Sequence, residues 1–456
     1  MAAAAAGTAA RLIVARFGFH ASHEQFTPRD LLDWTRLAEQ AGFDCAMSSD
    51  HFHPWSERQA QSGFAWSWIG AALEATHFPV GIISAPGYRY HPAIVAQGAA
   101  TLAQMYPGRV WLALGSGEAI NEAITGLPWP DKKERNARLK ECAEITRALF
   151  AGETVTHRGR VTCVEAKLYS RPESPPLLLG AAVTNETAAW VGSWADGLIT
   201  TAGAPDELRK KLDAFRRGGG EGKPVHLQVA LSWAPTEDEA EREALHQWGS
   251  VALGGEAAWD LRRPQDFDAA CRFVRGADIR KSVLVSGDLQ QHQAWLAGYA
   301  ELGFAEIHLH QVARDQRGFI EAFGAHVLPE LRRAFGRPAE QPERGGHGTA
   351  SDHRERTRTA MEKTPITADR LRHDIDRGRS GDKVPHPDPA AAPLGTDDEA
   401  GGHSPRPHQV QAAAATELGR ATEPQPRRRI RWAWLLILFI VLLAVAALIW
   451  AGYAAP

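Results

Sequence analysis

The order of apolar and amphipathic segments predicts an α/β chain: a (β/α)8 TIM barrel with rim insertions, then a disordered linker and one C-terminal transmembrane helix. Three observations carry that reading. Between residues 11 and 335, short apolar runs alternate with amphipathic stretches about eight times, as parallel strands joined by right-handed helical crossovers do. Two of the runs end in clusters of reactive side chains, where a barrel keeps its chemistry. The length, 456 residues, exceeds the roughly 250 of a typical barrel and leaves room for more. A doubly wound open sheet is the competing architecture; a count near eight favours the barrel.

The elements follow in order. Residues 11–20 form a strand-like run. A helix fits 28–42, where Leu31, Leu32, Leu37 and Ala38 recur at near-helical spacing and Gly42 closes it. Strands are expected at 43–48, 79–84, 109–114, 177–182, 198–201, 225–232, 282–286 and 306–311. Helices are expected at 67–76, 93–105, 132–150, 186–194, 206–216, 236–248 and 318–335. The stretches 151–176 and 249–280 exceed ordinary connections and read as rim insertions. Residues 1–10 read as a disordered N-terminus, without the basic region and long apolar core of a signal peptide.

Residues 336–426 have almost no large apolar side chains, so they read as a disordered linker, with one short helix at 367–379. Met361 opens a stretch resembling an independent small protein fused to the barrel. Within 427–456, the apolar run from Trp432 to Trp450 has the length of one membrane-spanning helix. Arg427, Arg428, Arg429 and Arg431 precede it and no charge follows, so a tail anchor with the barrel on the cytoplasmic side is expected. The net charge of −3 gives no reason to expect nucleic acid as a partner. The cysteines Cys45, Cys142, Cys163 and Cys271 lie far apart and read as buried thiols of a reducing compartment.

The candidate active site draws on both strand ends. His51 titrates near neutrality, which suits a base that removes a hydroxyl proton as hydride leaves. Asp50 beside it can fix a tautomer or contact a cofactor, and Trp55 offers a flat face to a ring or developing cation. A histidine satisfied inside a core is the plainer alternative. Gly115-Ser116-Gly117 followed by Glu118 is either a tight turn opening a helix or a cofactor cradle; the third glycine of a dinucleotide fingerprint is missing. Trp66, Trp68, Trp111, Trp129 and Tyr88-Arg89-Tyr90 are expected to pack the barrel mouth. His51/His53 and His308/His310 are i, i+2 pairs that a strand puts on one face, but no acidic third ligand stands at recognisable spacing, so no metal is expected.

Three motifs carry a family resemblance: Ser49-Asp50-His51-Phe52-His53-Pro54-Trp55, Tyr88-Arg89-Tyr90-His91-Pro92-Ala93 and Gly115-Ser116-Gly117-Glu118-Ala119-Ile120-Asn121-Glu122. With them the stretch 11–335 resembles the luciferase-like monooxygenase superfamily, near its deazaflavin (coenzyme F-420)-dependent glucose-6-phosphate dehydrogenase group. The resemblance implies a flavin-type ring across the C-terminal strand ends. It implies His51 as general base, Glu118 as proton donor and Trp55 flanking the transition state. Asp50, Asn121, Gly115, Ser116 and Gly117 would hold the cofactor, and Gly180, Ala181 and Ala182 would offer backbone donors to its phosphate. It also implies a non-prolyl cis peptide near Ile83-Ser84 behind the ring.

The departures point elsewhere. Ala204 and Ala269 stand where that group has sugar-phosphate lysines, so glucose 6-phosphate is not the expected substrate. Ala182-Val183-Thr184 lacks the second glycine of deazaflavin users. The run Phe19-His20-Ala21-Ser22-His23-Glu24-Gln25-Phe26 resembles a sister group with an ordinary flavin. FMN is therefore the expected cofactor and coenzyme F-420 the alternative, with hydride exchange or oxygen activation on a small organic substrate. A homodimer and an electron donor or flavin reductase are compatible partners. A non-catalytic, membrane-tethered flavin-binding scaffold is the alternative of another class.

Overall fold

A computed structural model describes residues 14–254 and 258–336. Its strands are β1 (Arg16–Ala21), β2 (Cys45–Ser49), β3 (Val80–Ser84), β4 (Val110–Leu114), β5 (Val155–Arg158), β6 (Thr162–Ala166), β7 (Leu177–Ala181), β8 (Gly197–Thr201), β9 (Val225–Trp233), β10 (Leu284–Ser286) and β11 (Glu306–Gln311). Neighbours run β11-β1-β2-β3-β4-β7-β8, and β9 pairs with both β8 and β11 to close the ring. Every pairing in the ring is parallel. The barrel is the predicted (β/α)8 type.

β10 is no stave: it pairs only with Leu231–Trp233 at the far end of β9. The insertion 151–176 holds an antiparallel hairpin, β5–β6, that apolar patterning did not reveal. The insertion 249–280 carries short helices, among them Pro264–Ala270 and Gly276–Ile279. A helix at Leu289–Ala300 was not anticipated. The helix expected over 318–335 is broken at Val327 into Gln316–His326 and Leu328–Phe335. Pro329 explains the break: it has no N–H to donate, and in a continuous helix its ring would strike the carbonyl four residues back.

The inside of the barrel is divided. Met47, Trp111, Ala113, Leu179 and Ile199 form an apolar half, with Ile83 and Ala181 packed on it and partly open. The other half is polar: His20, His226, Glu306, His308 and His310 are all buried. Glycines make room for both halves. A Cβ on Gly81 would fall inside the Trp111 indole, and one on Gly18 would lie 2.4 Å from His308 Nδ1 and 2.8 Å from Cys45 Sγ.

Trp111 corrects an expectation, because it sits near the base of β4 and not at the mouth. Its Nε1 donates to Glu306 Oε2 (3.1 Å). The Glu306 carboxylate also pairs with Arg16, lies 2.9 Å from His308 Nε2 and 3.5 Å from His226 Nδ1. Burial opposes its charge, but the neighbouring His226, His308 and Arg16 hold its carboxyl well below the usual range. Burial pushes the His226 imidazole down to about 4. A carboxylate ringed by two imidazoles, a guanidinium and an indole N–H thus plugs the barrel's base. Cys45 of β2 joins Glu306 and His308 of β11 in one buried group with ligand atoms within 4.8 Å, a meeting of two strands that spacing along the chain does not announce.

No described helix is long and apolar enough to cross a membrane. The expected disordered N-terminus, the linker beyond residue 336 and the membrane span at 427–456 lie outside the described residues.

Candidate active site

Two strand ends meet at the barrel mouth. β2 ends at Ser49 and releases Asp50 and His51; β4 ends at Leu114 and turns through Gly115–Gly117 into the short helix Ala119–Glu122, with Glu118 at its N-cap. Gly117 has φ +77°, and a Cβ there would come 2.8 Å from Glu122 Cγ, so the turn needs a glycine. His51 Nε2 lies 3.9 Å from Glu118 Oε2. Its other nitrogen, Nδ1, lies 2.8 Å from Oε1 of Glu24, a residue in the loop after β1. Trp55 stands edge-on to the imidazole, ring centroids 5.2 Å apart, and packs on Phe267 of the second insertion.

The two carboxylates set the protonation of the site. Burial alone would lower His51, but the Glu24 carboxylate, and after it Glu118, overcome that and push it up to about 9. Burial opposes the charge on Glu24, yet His51 beside it holds its carboxyl well below the usual range. Burial raises Glu118 above the ordinary carboxylate value, against the pull of His51. The two carboxylates thus favour the imidazolium form of His51 at neutral pH, above the near-neutral titration its residue type suggests. At rest it is a proton donor.

Asp50 is fully engaged. Its carboxylate accepts from Ser84 Oγ (3.1 Å) and Tyr90 OH (3.3 Å) and pairs with Arg89 at 3.4 Å. Arg89 also donates to the Asp50 carbonyl (2.7 Å) and lies 3.5 Å from Glu122, so one buried guanidinium joins the β2 and β4 loops. Burial pushes Glu122 up to about 7 although Arg89 pulls the other way. Asn121, expected to hold cofactor, spends its side chain within the protein: Oδ1 accepts from the Phe52 and His53 N–H (2.8 and 3.3 Å) and Nδ2 donates to Glu118 Oε2 (3.1 Å). It is a brace between the two loops.

Ile83 and Ser84 end β3. The Ile83 carbonyl accepts from Asp50 N and the Ser84 carbonyl from Gly115 N, both at 3.0 Å. The cis peptide implied there is absent; the described residues contain none. The phosphate loop also shifts. Gly180 and Ala181 belong to β7, and the Ala182 N–H already donates to Ile199 O (3.0 Å). Gly180 is a glycine because a Cβ would come 2.5 Å from Val191 Cγ1. Backbone donors for an anion begin only after Ala182, ahead of the helix Asn185–Gly192 capped by Thr184.

A flat ring system fits this mouth. Ile83 and Ala181 are partly open above the apolar half of the barrel, and nothing lies closer than 3.9 Å to where a Cβ of Gly115 would point. Polar groups of His51 and Glu118 stand at one edge and the Thr184-capped helix start at another strand end. Spacing along the chain does not reveal Glu24, or Arg89 as a clamp, or the buried seat of His310. His310 packs between His20 and Trp248, centroids 4.3 and 4.4 Å away. Glu24 belongs to the run His20-Ala21-Ser22-His23-Glu24, but no spacing rule ties it to a histidine 27 residues on.

The chain is an oxidoreductase built on a (β/α)8 barrel, with this titratable cluster at the C-terminal strand ends. The chain belongs to the luciferase-like monooxygenase family, whose model matches residues 10–306. It is 37% identical to an F420-dependent glucose-6-phosphate dehydrogenase of Beutenbergia cavernae, over 70% of this chain and 97% of that one. A namesake from Microbacterium testaceum is also 37% identical, over 70% and 98%. Among solved structures, an F420-dependent secondary alcohol dehydrogenase in complex with an F420-acetone adduct superposes with TM-score 0.65 at 31% identity, covering 70% of this chain and 99% of that one. The coenzyme F420-dependent tetrahydromethanopterin reductase of Methanopyrus kandleri shares the fold, with TM-score 0.57 at 20% identity over 69% and 99%.

Proposed function

We propose that the protein is a deazaflavin-dependent oxidoreductase that interconverts a small alcohol and its carbonyl compound, with His51 as the residue that gives and takes the hydroxyl proton. The observation that carries this reading is the imidazole of His51 held between Glu24 and Glu118 at the rim of an apolar floor. The likeness to relatives named for F420 supports the cofactor. When bound, a deazaflavin supplies hydride acceptance and donation.

The chain's own groups do the rest. Glu24 holds His51 in place and keeps it protonated; Glu118 remains a weak acid on the other side; Trp55 packs edge-on against the imidazole. A protonated His51 favours carbonyl reduction at neutral pH, where it donates to the nascent alkoxide. Alcohol oxidation needs the neutral imidazole and gains as pH rises towards 9. Ala204 and Ala269 supply no lysine clamp, so glucose 6-phosphate is not the proposed substrate.

FMN is the second reading, favoured by Val183, whose side chain is 45% exposed where deazaflavin users have a glycine. Incubating the full chain separately with reduced F420 and reduced FMN, then adding acetone or oxygen, tests the choice. Ketone-dependent reoxidation of F420 supports the proposal. Oxygen-dependent turnover with FMN alone overturns it.

A further inference from the structure

Next to the catalytic turn a cavity of about 480 Å³ is lined by Trp129, Asp131, Lys132, Arg135, Asp260 and Arg262. Trp129 joins it to the site, since its Cη2 lies 3.4 Å from where a Cβ of Gly117 would stand. Trp259 secures the other wall, its carbonyl accepting the Ala119 N–H at 3.0 Å.

Arg135 is the anomaly. It is 8% exposed, yet no described carboxylate pairs with it. Its guanidinium lies over the Trp129 indole at 4.7 Å, Nη1 donates to Pro130 O (2.8 Å), and Nε is buried with no partner. Buried charges are normally paired, because an unpaired one forfeits hydration without return. Both acids of the cavity are committed elsewhere: Asp131 caps the Lys132–Ala151 helix through Glu134 N (2.8 Å), and Asp260 accepts from Trp129 Nε1 (3.1 Å). Lys132 and Arg262 form no ion pair among the described residues and add to the positive charge. The start of a 20-residue helix adds its dipole in the same sense.

We propose that this cavity is an anion subsite, in which Arg135, flanked by Lys132 and Arg262, takes a carboxylate or phosphate carried by the molecule bound at the mouth. The planar guanidinium, oriented by the Trp129 face, suits a bidentate oxyanion. The subsite rests on the oxidoreductase reading only for the identity of its parent ligand, and its test reads binding without turnover.

Calorimetric titration of the full chain with inorganic phosphate, at constant ionic strength, is the test. One saturable site is expected, weakened about tenfold or more in Arg135→Gln, as loss of a charged hydrogen bond implies. Arg262→Gln, at an exposed position, weakens it about threefold and guards against misfolding of the buried variant. Phosphate that competes with the deazaflavin assigns the anion to the cofactor; phosphate that raises only the substrate KM assigns it to the substrate. Absence of saturable binding, or equal binding by wild type and Arg262→Gln, overturns the subsite.

Discussion

Glu24 Oε1 stands 2.8 Å from His51 Nδ1, and this pairing of two loops, after β1 and after β2, fixes the charge of the imidazole that faces Glu118. Because the folded His51 titrates at about 9, above its ordinary 6.5, the proton-donating form is complete below 6.5 and is lost as pH rises through about 9. The expected profile is a fall in carbonyl reduction, and a rise in alcohol oxidation, across that upper limb. Glu24→Gln removes the principal raising charge, so the midpoint drops by at least about one pH unit. Titration of the His51 ring proton signal checks it, and an unmoved midpoint contradicts the assignment.

The same pair makes a stability prediction. The His51 contribution to stability is present below 6.5 and disappears as pH climbs through about 9. Melting temperature is expected to fall over that upper range in the wild type and to fall less in His51→Ala. Thermal unfolding at several pH values measures this directly.

Asn121 gives a test of bracing against cofactor contact. Asn121→Ala removes the acceptor for the Phe52 and His53 N–H and the donor to Glu118. Leaving these part-buried partners without their hydrogen bonds costs about 1 kcal/mol. The expected outcome is lower stability and lower kcat with cofactor Kd nearly unchanged. A large rise in Kd at constant kcat would return Asn121 to the cofactor.

Glu306 at the base is expected to matter for folding and little for turnover. Glu306→Gln leaves Arg16 without its charged partner; breaking a buried pair costs about 3–5 kcal/mol, and the lower end applies because Arg16 is half exposed. Urea unfolding reads the loss. Unchanged stability would show that the imidazoles alone hold the base together.

The tail makes a prediction from sequence alone. The apolar run Trp432 to Trp450 should hold the full chain in the membrane fraction, and a chain ending at residue 335 should leave it. Fractionation with an alkaline carbonate wash separates the outcomes, and recovery of the full chain in the supernatant contradicts the anchor.

The barrel was legible because its strands are short apolar runs bounded by polar loops, a pattern local to the chain. β11 shows this best: Glu306–Gln311 was bounded from sequence at the residues the structure gives. The meeting of His51 and Glu118, 3.9 Å apart, was legible because each follows such a strand end. What spacing could not show is pairing across strands. Glu24 with His51, Arg89 with both Asp50 and Glu122, and Trp111 with Glu306 are contacts made by closure of the barrel. The Ile83–Ser84 peptide and the Gly180–Ala182 donors were carried over from a resemblance, and the backbone hydrogen bonds here place them otherwise. Arg135 falls within the helix expected over 132–150, and its place over the Trp129 indole is a contact that spacing along that helix does not show.

The most direct measurement follows single-turnover oxidation of reduced F420 by acetone in the full chain and in His51→Ala, with F420 binding measured on both. The wild type is expected to turn over, and the variant to bind F420 comparably but react about a hundredfold or more slower, as loss of a general acid implies. An His51→Ala variant as fast as the wild type, or a wild type that does not bind F420, would contradict it.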